Sequence, residues 1–145
     1  MTETAILYVS QALTDFTVEE LEALQQISYS NNLVLEISGY LYFENHRFFQ
    51  YLEGEDSVVH QAFERIKKDP RHKIIGVLEQ QDIVRRFPDW SMKWLKSGIF
   101  ANLNLEKLLI DHLSIMSNFK NDGPDFSGSA FQIVDTLSKH QTQLS

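Results

Sequence analysis

An α+β sandwich is the fold class this sequence predicts: a five-stranded mixed sheet with two helices against one of its faces. Three observations predict it. Segments of period-two alternation and segments of helical periodicity follow one another in the order strand, helix, strand, strand, helix, strand, strand. The two middle strands are separated only by Glu44-Asn45-His46-Arg47, a connection short enough to be a hairpin. The helix boundaries are marked, by a Thr17/Glu20 capping box at the start of one and Asp69-Pro70 at the end of the other.

The first strand is Ala5-Ile6-Leu7-Tyr8-Val9-Ser10, with Ile6, Tyr8 and Ser10 on one face. The first helix opens at the capping box, where Phe16 and Leu21 can close a hydrophobic staple, and is expected to run to about Asn31. Leu24, Ser28, Asn31 and Asn32 share a helical face that turns polar towards its C-terminal end. Two readings of that polarity stand: an asparagine C-cap, or an edge that faces a ligand. The second strand is expected over Val34 to Phe43, with Ile37, Gly39, Leu41 and Phe43 on one face. Gly39 in mid-strand suggests close approach by another group.

The third strand is Phe48-Phe49-Gln50-Tyr51-Leu52-Glu53-Gly54. Alternation puts Phe48, Gln50 and Leu52 on one face and Phe49, Tyr51 and Glu53 on the other. Gln50 is thus a primary amide between two apolar neighbours. Left unpaired inside the protein it would cost about 1–3 kcal/mol, so a polar group must meet it. The second helix is expected over roughly Ser57 to Lys68, with Val59, Ala62, Phe63 and Ile66 as its apolar stripe. Arg65, Lys67, Lys68, Arg71, His72 and Lys73 cluster at its end, either as complements to the helix dipole or as a site for an anion such as a phosphate. A fourth strand is expected over Ile74 to Glu79. A fifth follows around Trp90-Ser91-Met92-Lys93-Trp94, with Trp90, Met92 and Trp94 on one face.

This order, with its central hairpin, suits a ferredoxin-like sandwich. Two further helices are expected beyond it. One is capped by Asn104 and carries Leu105, Leu108, Leu109, His112, Leu113, Met116 and Phe119 along one side. The other opens at a Ser129/Gln132 capping box, with Phe131, Val134 and Leu137 apolar. Residues 1–97 form the core domain on this reading, and 98–145 a helical extension that packs on the sheet or serves as a partner or oligomer surface.

At 145 residues one core is expected. A formal net charge of −7 argues against nucleic acid as a main partner. No apolar run is long enough to span a bilayer and Met1 leads straight into a strand, so a cytoplasmic protein is expected. Cysteine is absent and the five histidines are scattered, which leaves no thiolate or histidine-pair metal site. There is no glycine-rich phosphate loop after the first strand and no nucleophile elbow. Glu19-Glu20 and Glu55-Asp56 read as solvated helix starts. Hydrolytic or redox catalysis has no evident group to carry it, and the chain is not expected to be an enzyme.

Several of these segments, in order and at matching spacing, resemble the BLUF family of blue-light sensors over roughly residues 4–95. They are Tyr8, Asn31-Asn32, Ile37-Ser38-Gly39, Phe49-Gln50-Tyr51-Leu52-Glu53-Gly54, Asp69-Pro70-Arg71-His72 and Phe87-Pro88-Asp89-Trp90-Ser91-Met92. The resemblance implies a domain of the short, single-domain type whose two helices hold a flavin, usually FAD, against the sheet. Leu24, Ser28, Asn31 and Asn32 would then form one wall, with Asn32 on the polar edge of the ring and Phe48 contacting the cofactor. Ile66, Arg65 and Asp69 would form the other, with Arg65, Arg71 and His72 towards the ribityl-phosphate side. Tyr8 would give an electron and then a proton to excited flavin, and Gln50, bridging Tyr8 and the flavin, would rearrange its hydrogen bonds. Trp90 and Met92 would relay that change along the fifth strand to the C-terminal helices. Ser38 stands where the family commonly has Thr, and Leu33-Val34-Leu35-Glu36 is more apolar than the usual turn there. Tyr40, Tyr42 and Tyr51 face away from Gln50 by parity.

A blue-light photoreceptor that acts on an unidentified downstream protein or through a homo-oligomer is the implied function. The residues after 100 are too few for a cyclase or phosphodiesterase domain. The alternative is an interaction module of the same fold that binds flavin poorly, with light sensing secondary. A small flavin oxidoreductase would need a substrate-activating group that the sequence does not offer.

Overall fold

A computed structural model describes residues 2–44, 46–95 and 127–139. Its elements are β1 (Glu3–Ala12), α1 (Val18–Leu35), β2 (Ser38–Glu44), β3 (Arg47–Glu55), α2 (Asp56–Lys67), β4 (His72–Gln81), β5 (Lys93–Leu95) and α3 (Ser127–Lys139). The strands form one sheet in the order β4-β1-β3-β2-β5. β1 pairs antiparallel with both β3 and β4, β2 antiparallel with β3, and β5 parallel with β2, so the sheet is mixed. This is the ferredoxin-like arrangement, extended by one edge strand. The expected helix around 105–119 lies outside the described residues.

Alternation along β1 and β3 sorts the core into two layers. Ile6, Tyr8, Phe48 and Leu52 face α2, where they meet Val59, Ala62 and Phe63, and Leu21, Leu24 and Leu35 of α1 pack at the margin of this layer. Leu7, Val9, Phe49 and Tyr51 face the other way and pack with Tyr40, Phe87, Trp90 and α3's Phe131 and Val134. Each such fully buried side chain contributes roughly 1.5–3 kcal/mol.

α1 starts where the capping box places it: the Thr17 side chain accepts from the Glu20 N–H and Glu20 reaches back to the Thr17 N–H. Its end differs from expectation. The helix continues past Asn31 to Leu35 and stops at Glu36, which takes the left-handed conformation at φ 55°, while the Ile37 N–H closes onto the Asn32 carbonyl at 2.9 Å. Asn31 and Asn32 are therefore interior helical residues, not a C-cap. Leu33-Val34-Leu35-Glu36 is the last helical turn and its stop, so Val34 and Leu35 do not belong to the second strand. A left-handed non-glycine residue costs about 1–2 kcal/mol, and because Glu36 takes this place instead of glycine the stop leaves no glycine signature in the sequence.

β5 is also shorter than expected and lacks the expected alternation. Met92 sits at φ 64° and its N–H folds back to the Trp90 carbonyl at 2.8 Å. The local turn puts Trp90 and Met92 on opposite sides of the sheet: Trp90 stacks on Phe87 with ring centroids 5.0 Å apart, and Met92 joins the layer under the helices. They do not share a face.

Gly39 has φ 141°, and a Cβ there would lie 1.9 Å from the Tyr51 carbonyl oxygen. The close neighbour is thus the backbone of β3. The Gly39 N–H is satisfied by the Trp90 carbonyl at 2.9 Å, which ties β2 to the loop before β5. α3 begins at Ser127, two residues before the expected capping serine.

Candidate functional site

A cleft opens between α1 and α2, floored by the sheet, and holds about 1020 Å³ of space not occupied by protein atoms, part of it open to solvent. The floor is set by strand register. Tyr8 of β1 lies directly opposite Gln50 of β3, two residues 42 apart in the chain. The Tyr8 hydroxyl donates to Gln50 Oε1, and Gln50 Nε2 donates to the Met92 sulfur at 3.2 Å. Tyr8 is 3% and Gln50 4% exposed, so the polar group required to meet Gln50 is a phenol on one side and a thioether on the other. Burial, and after it the negative charge of Asp69, push the Tyr8 phenol far above its ordinary range, so the hydroxyl keeps its proton.

The α1 wall carries Leu24, Ser28, Asn31 and Asn32. Asn32 is buried, and one amide N–H donates to the Ser28 carbonyl at 2.6 Å. That bond commits one of its two donors, and no described bond engages its side-chain oxygen. The α2 wall carries Ala62, Arg65 and Ile66, and the connection after α2 brings Asp69, Arg71 and His72 to the rim. Asp69 and Arg71 form a bidentate pair, Nε to Oδ1 at 3.0 Å and Nη2 to Oδ2 at 2.7 Å. Hydrogen bonding to Arg71 holds the Asp69 carboxyl below its usual range. His72 is held from both ring nitrogens: Nε2 donates to the Ile66 carbonyl at 2.7 Å, which leaves Nδ1 to accept from the Ser10 hydroxyl at 2.8 Å. Arg65 is exposed and has no ion-pair partner among the described residues.

Every residue expected to contact the cofactor lines this cleft, together with Tyr8. Members of the expected basic cluster have different partners. Arg71 is engaged by Asp69, Lys67 pairs with Glu64 at 2.6 Å and His72 is committed within the fold, while Arg65 lines the cleft with no ion-pair partner among the described residues. Of the two expected relay residues, Met92 touches Gln50 and Trp90 lies on the far side of the sheet. Sequence reasoning missed Phe16, Ile27, Leu35, Leu41 and Ala62 as lining residues. Ala62 and Leu41 were legible as members of apolar faces. Ile27 is 58% exposed although it lines the cleft, an apolar side chain left for a ligand to cover.

The donor set suits a flat heteroaromatic ring with a polar edge. Its walls are largely aliphatic, and Asn31, Asn32 and Gln50 supply amide donors and acceptors. Among the described residues no group of three or more His, Cys, Asp or Glu could hold a metal. No described helix is long and apolar enough to cross a membrane.

Comparison with known proteins agrees with this geometry. Residues 4–93 match the family model "BLUF: Sensors of blue-light using FAD". The chain is 33% identical over 85 residues to the blue light- and temperature-regulated antirepressor BluF of Escherichia coli (strain K12), covering 58% of this chain and 21% of that protein. It is 30% identical over 93 residues to the photoactivated adenylate cyclase subunit beta of Euglena longa, covering 63% of this chain and 11% of the relative. The chain thus spans about a fifth or less of these two relatives. Among solved structures, the dark state of the BLUF protein BlrB matches 97% of this chain and 93% of its own, with a TM-score of 0.65 and 26% identity. BlsA in its photo-activated state matches 79% of this chain and 94% of its own, with a TM-score of 0.63 and 27% identity. With the family model spanning most of the chain and the cleft built from the matching segments, the chain belongs to the BLUF family, the sensors of blue light using FAD.

Proposed function

We propose that this chain is a blue-light photoreceptor in which Tyr8 and Gln50 carry the photochemistry and Met92 is the first residue to register its result. The hydrogen-bonded series Tyr8–Gln50–Met92 on the cleft floor is the observation that carries the reading. Asn32 and Asn31 would hold the polar edge of the ring, Leu24, Ser28, Phe48 and Ile66 its apolar surfaces, and Arg65 its anionic side. FAD, when bound, supplies absorption of blue light and an excited state able to oxidise a phenol.

The rest of the chemistry belongs to the chain's own side chains. Burial disfavours the Tyr8 phenolate, so the hydroxyl keeps its proton until the electron has left it. Its proton already lies in a hydrogen bond to Gln50 Oε1. The Gln50 amide has unlike ends, one accepting from Tyr8 and one donating to Met92. Turning the amide over exchanges those ends, so an oxygen faces the Met92 sulfur where a donor stood, and two acceptors in contact repel. Tautomerising it instead moves a proton from Nε2 to Oε1, so the oxygen facing Tyr8 becomes a donor and the nitrogen facing Met92 has lost one of its two. Met92 is flexible and polarizable and sits at a strained φ of 64°, so it can move in response. The output then runs through β5 to the C-terminal helices and to a partner protein or a second copy of the chain.

Purified protein supplied with FAD is expected to be yellow, and blue light to produce a reversible red shift of its absorption. Gln50→Ala keeps the colour and loses the shift; Tyr8→Phe keeps the colour and loses the normal photocycle. A colourless protein, or a wild-type spectrum unmoved by light, overturns the reading. Partner binding that is equal in light and dark favours the interaction module instead.

A further inference from the structure

Arg86 lies in the connection between β4 and β5, on the side of the sheet away from the cleft, and three elements meet on its guanidinium. Nη1 donates to the Tyr51 hydroxyl of β3 at 2.8 Å, Nη2 to Gln80 Oε1 of β4 at 2.6 Å, and Nε to Asp135 Oδ1 of α3 at 2.5 Å. The guanidinium also lies over the rings of Tyr51 and Phe131. Its side chain is 11% exposed, against 51% for Asp135. The backbone of Arg86 is held as well. Its N–H donates to buried Glu53 at 2.7 Å, and Glu53 also accepts from the Phe87 N–H, the Tyr51 hydroxyl and the Ser38 hydroxyl. The cation is therefore fixed before Asp135 meets it, so the pair avoids the side-chain entropy that makes most surface ion pairs weak.

The same connection reaches the photoactive amide at its other end. Phe87 stacks on Trp90, the Trp90 carbonyl accepts the N–H groups of both Gly39 and Met92, and Met92 takes the Gln50 donor. One short stretch, residues 86 to 92, holds the neighbour of Gln50 at one end and the anchor of α3 at the other.

We propose that Arg86 is the bolt that seats α3 on the far face of the sheet in the dark, and that displacement of Met92 withdraws it. This rests on the light-sensing reading above and names the contact through which that signal leaves the sheet. Arg86 is a positioning residue. It touches neither Tyr8 nor Gln50, and Asp135 is its latch.

The test is hydrogen exchange of the α3 peptide in the FAD-loaded full chain, dark and under blue light, for wild type, Asp135→Asn and Asp135→Glu. Illumination is expected to speed wild-type α3 exchange roughly five-fold. Asp135→Asn is expected to exchange in the dark at the illuminated wild-type rate and to gain little from light. Asp135→Glu keeps the wild-type pattern, and all three proteins keep the same red shift and recovery. Asp135 is half exposed, so its loss is not expected to unfold the chain; Arg86→Gln is the second variant and should match Asp135→Asn. The proposal is overturned if Asp135→Asn exchanges like wild type in the dark, if light speeds α3 by equal factors in both, or if light leaves wild-type α3 unchanged. Absence of a red shift in wild type overturns light sensing instead, and the dark comparison still decides whether the bolt exists.

Discussion

Gln50 Nε2 donates to the sulfur of Met92 at 3.2 Å, and Met92 is held in that position by a left-handed backbone with φ 64°. A buried side chain and a strained backbone thus meet at the residue next to the Gln50 amide. The two demands conflict on substitution. Met92→Ala loses the buried side chain at a cost of about 2–4 kcal/mol and keeps the strain. Met92→Gly loses the same side chain and relieves the strain, so it is expected to be more stable than the alanine variant by about 1 kcal/mol, the reverse of the usual order. Urea unfolding of the two proteins checks this. An alanine variant as stable as the glycine one would show that the φ stores no strain.

Gly39→Ala is expected to cost more than about 3 kcal/mol or to prevent folding. The added carbon would stand 1.9 Å from the Tyr51 carbonyl, a backbone atom that cannot swing aside, and φ 141° disfavours any side chain. The β2–β3 pairing would have to open to admit it. The midpoint of denaturant unfolding measures the effect, and a shift of less than about 1 kcal/mol is incompatible with this packing.

Glu53 accepts four hydrogen bonds on its two oxygens at 0% exposure. Glu53→Gln puts an amide N–H₂ where two donors already point. About 3 kcal/mol of stability should be lost, and α3 exchange should rise as it does in Asp135→Asn. Unfolding by urea and exchange of the α3 peptide test the two halves separately.

The Asp69–Arg71 pair predicts a pH dependence. Hydrogen bonds from Arg71 hold the Asp69 carboxyl below its ordinary value of 3.8 in the folded chain. Its contribution is therefore present above pH 3.8 and is lost as pH falls through the depressed folded value. Both partners are about one-third exposed or more, which limits the effect to roughly 0.5–1 kcal/mol. Asp69→Asn keeps an oxygen for the Arg71 N–H and removes the charge. It should be less stable than wild type at pH 7, with the difference shrinking as pH drops below 3.8. Paired urea melts at pH 7 and below pH 3.8 decide it, and an equal difference at both contradicts the linkage.

Much of the fold and the site is legible in the sequence because alternation and helical periodicity are local. Parity alone places Gln50 with Phe48 and Leu52 and turns Tyr51 away, and the structure has them so. The misreadings share a cause. The end of α1 at Glu36 and the reversal at Met92 both depend on a left-handed non-glycine residue, a conformation that surrounding contacts impose and residue type does not announce. Arg86 escaped notice for another reason: an arginine in a loop is ordinarily solvated, and Tyr51, Gln80 and Asp135 reach it from three different parts of the chain. Glu53 left a usable signal, a carboxylate at the same strand parity as two aromatics, but its donors lie up to 34 residues away.

The sequence by itself determined the order of elements, the two faces of each central strand and the residue types that could line a flavin cleft, since these follow from repeat and side-chain chemistry within a few residues. Only the tertiary structure decided the strand register that sets Tyr8 opposite Gln50, a pairing the resemblance alone had implied, that Met92 and not Trp90 touches that amide, and that Arg86 joins α3 to the sheet. Those are pairings between distant segments. They are selected by strand register and by buried polar groups each finding a partner, conditions met only when the whole chain has packed.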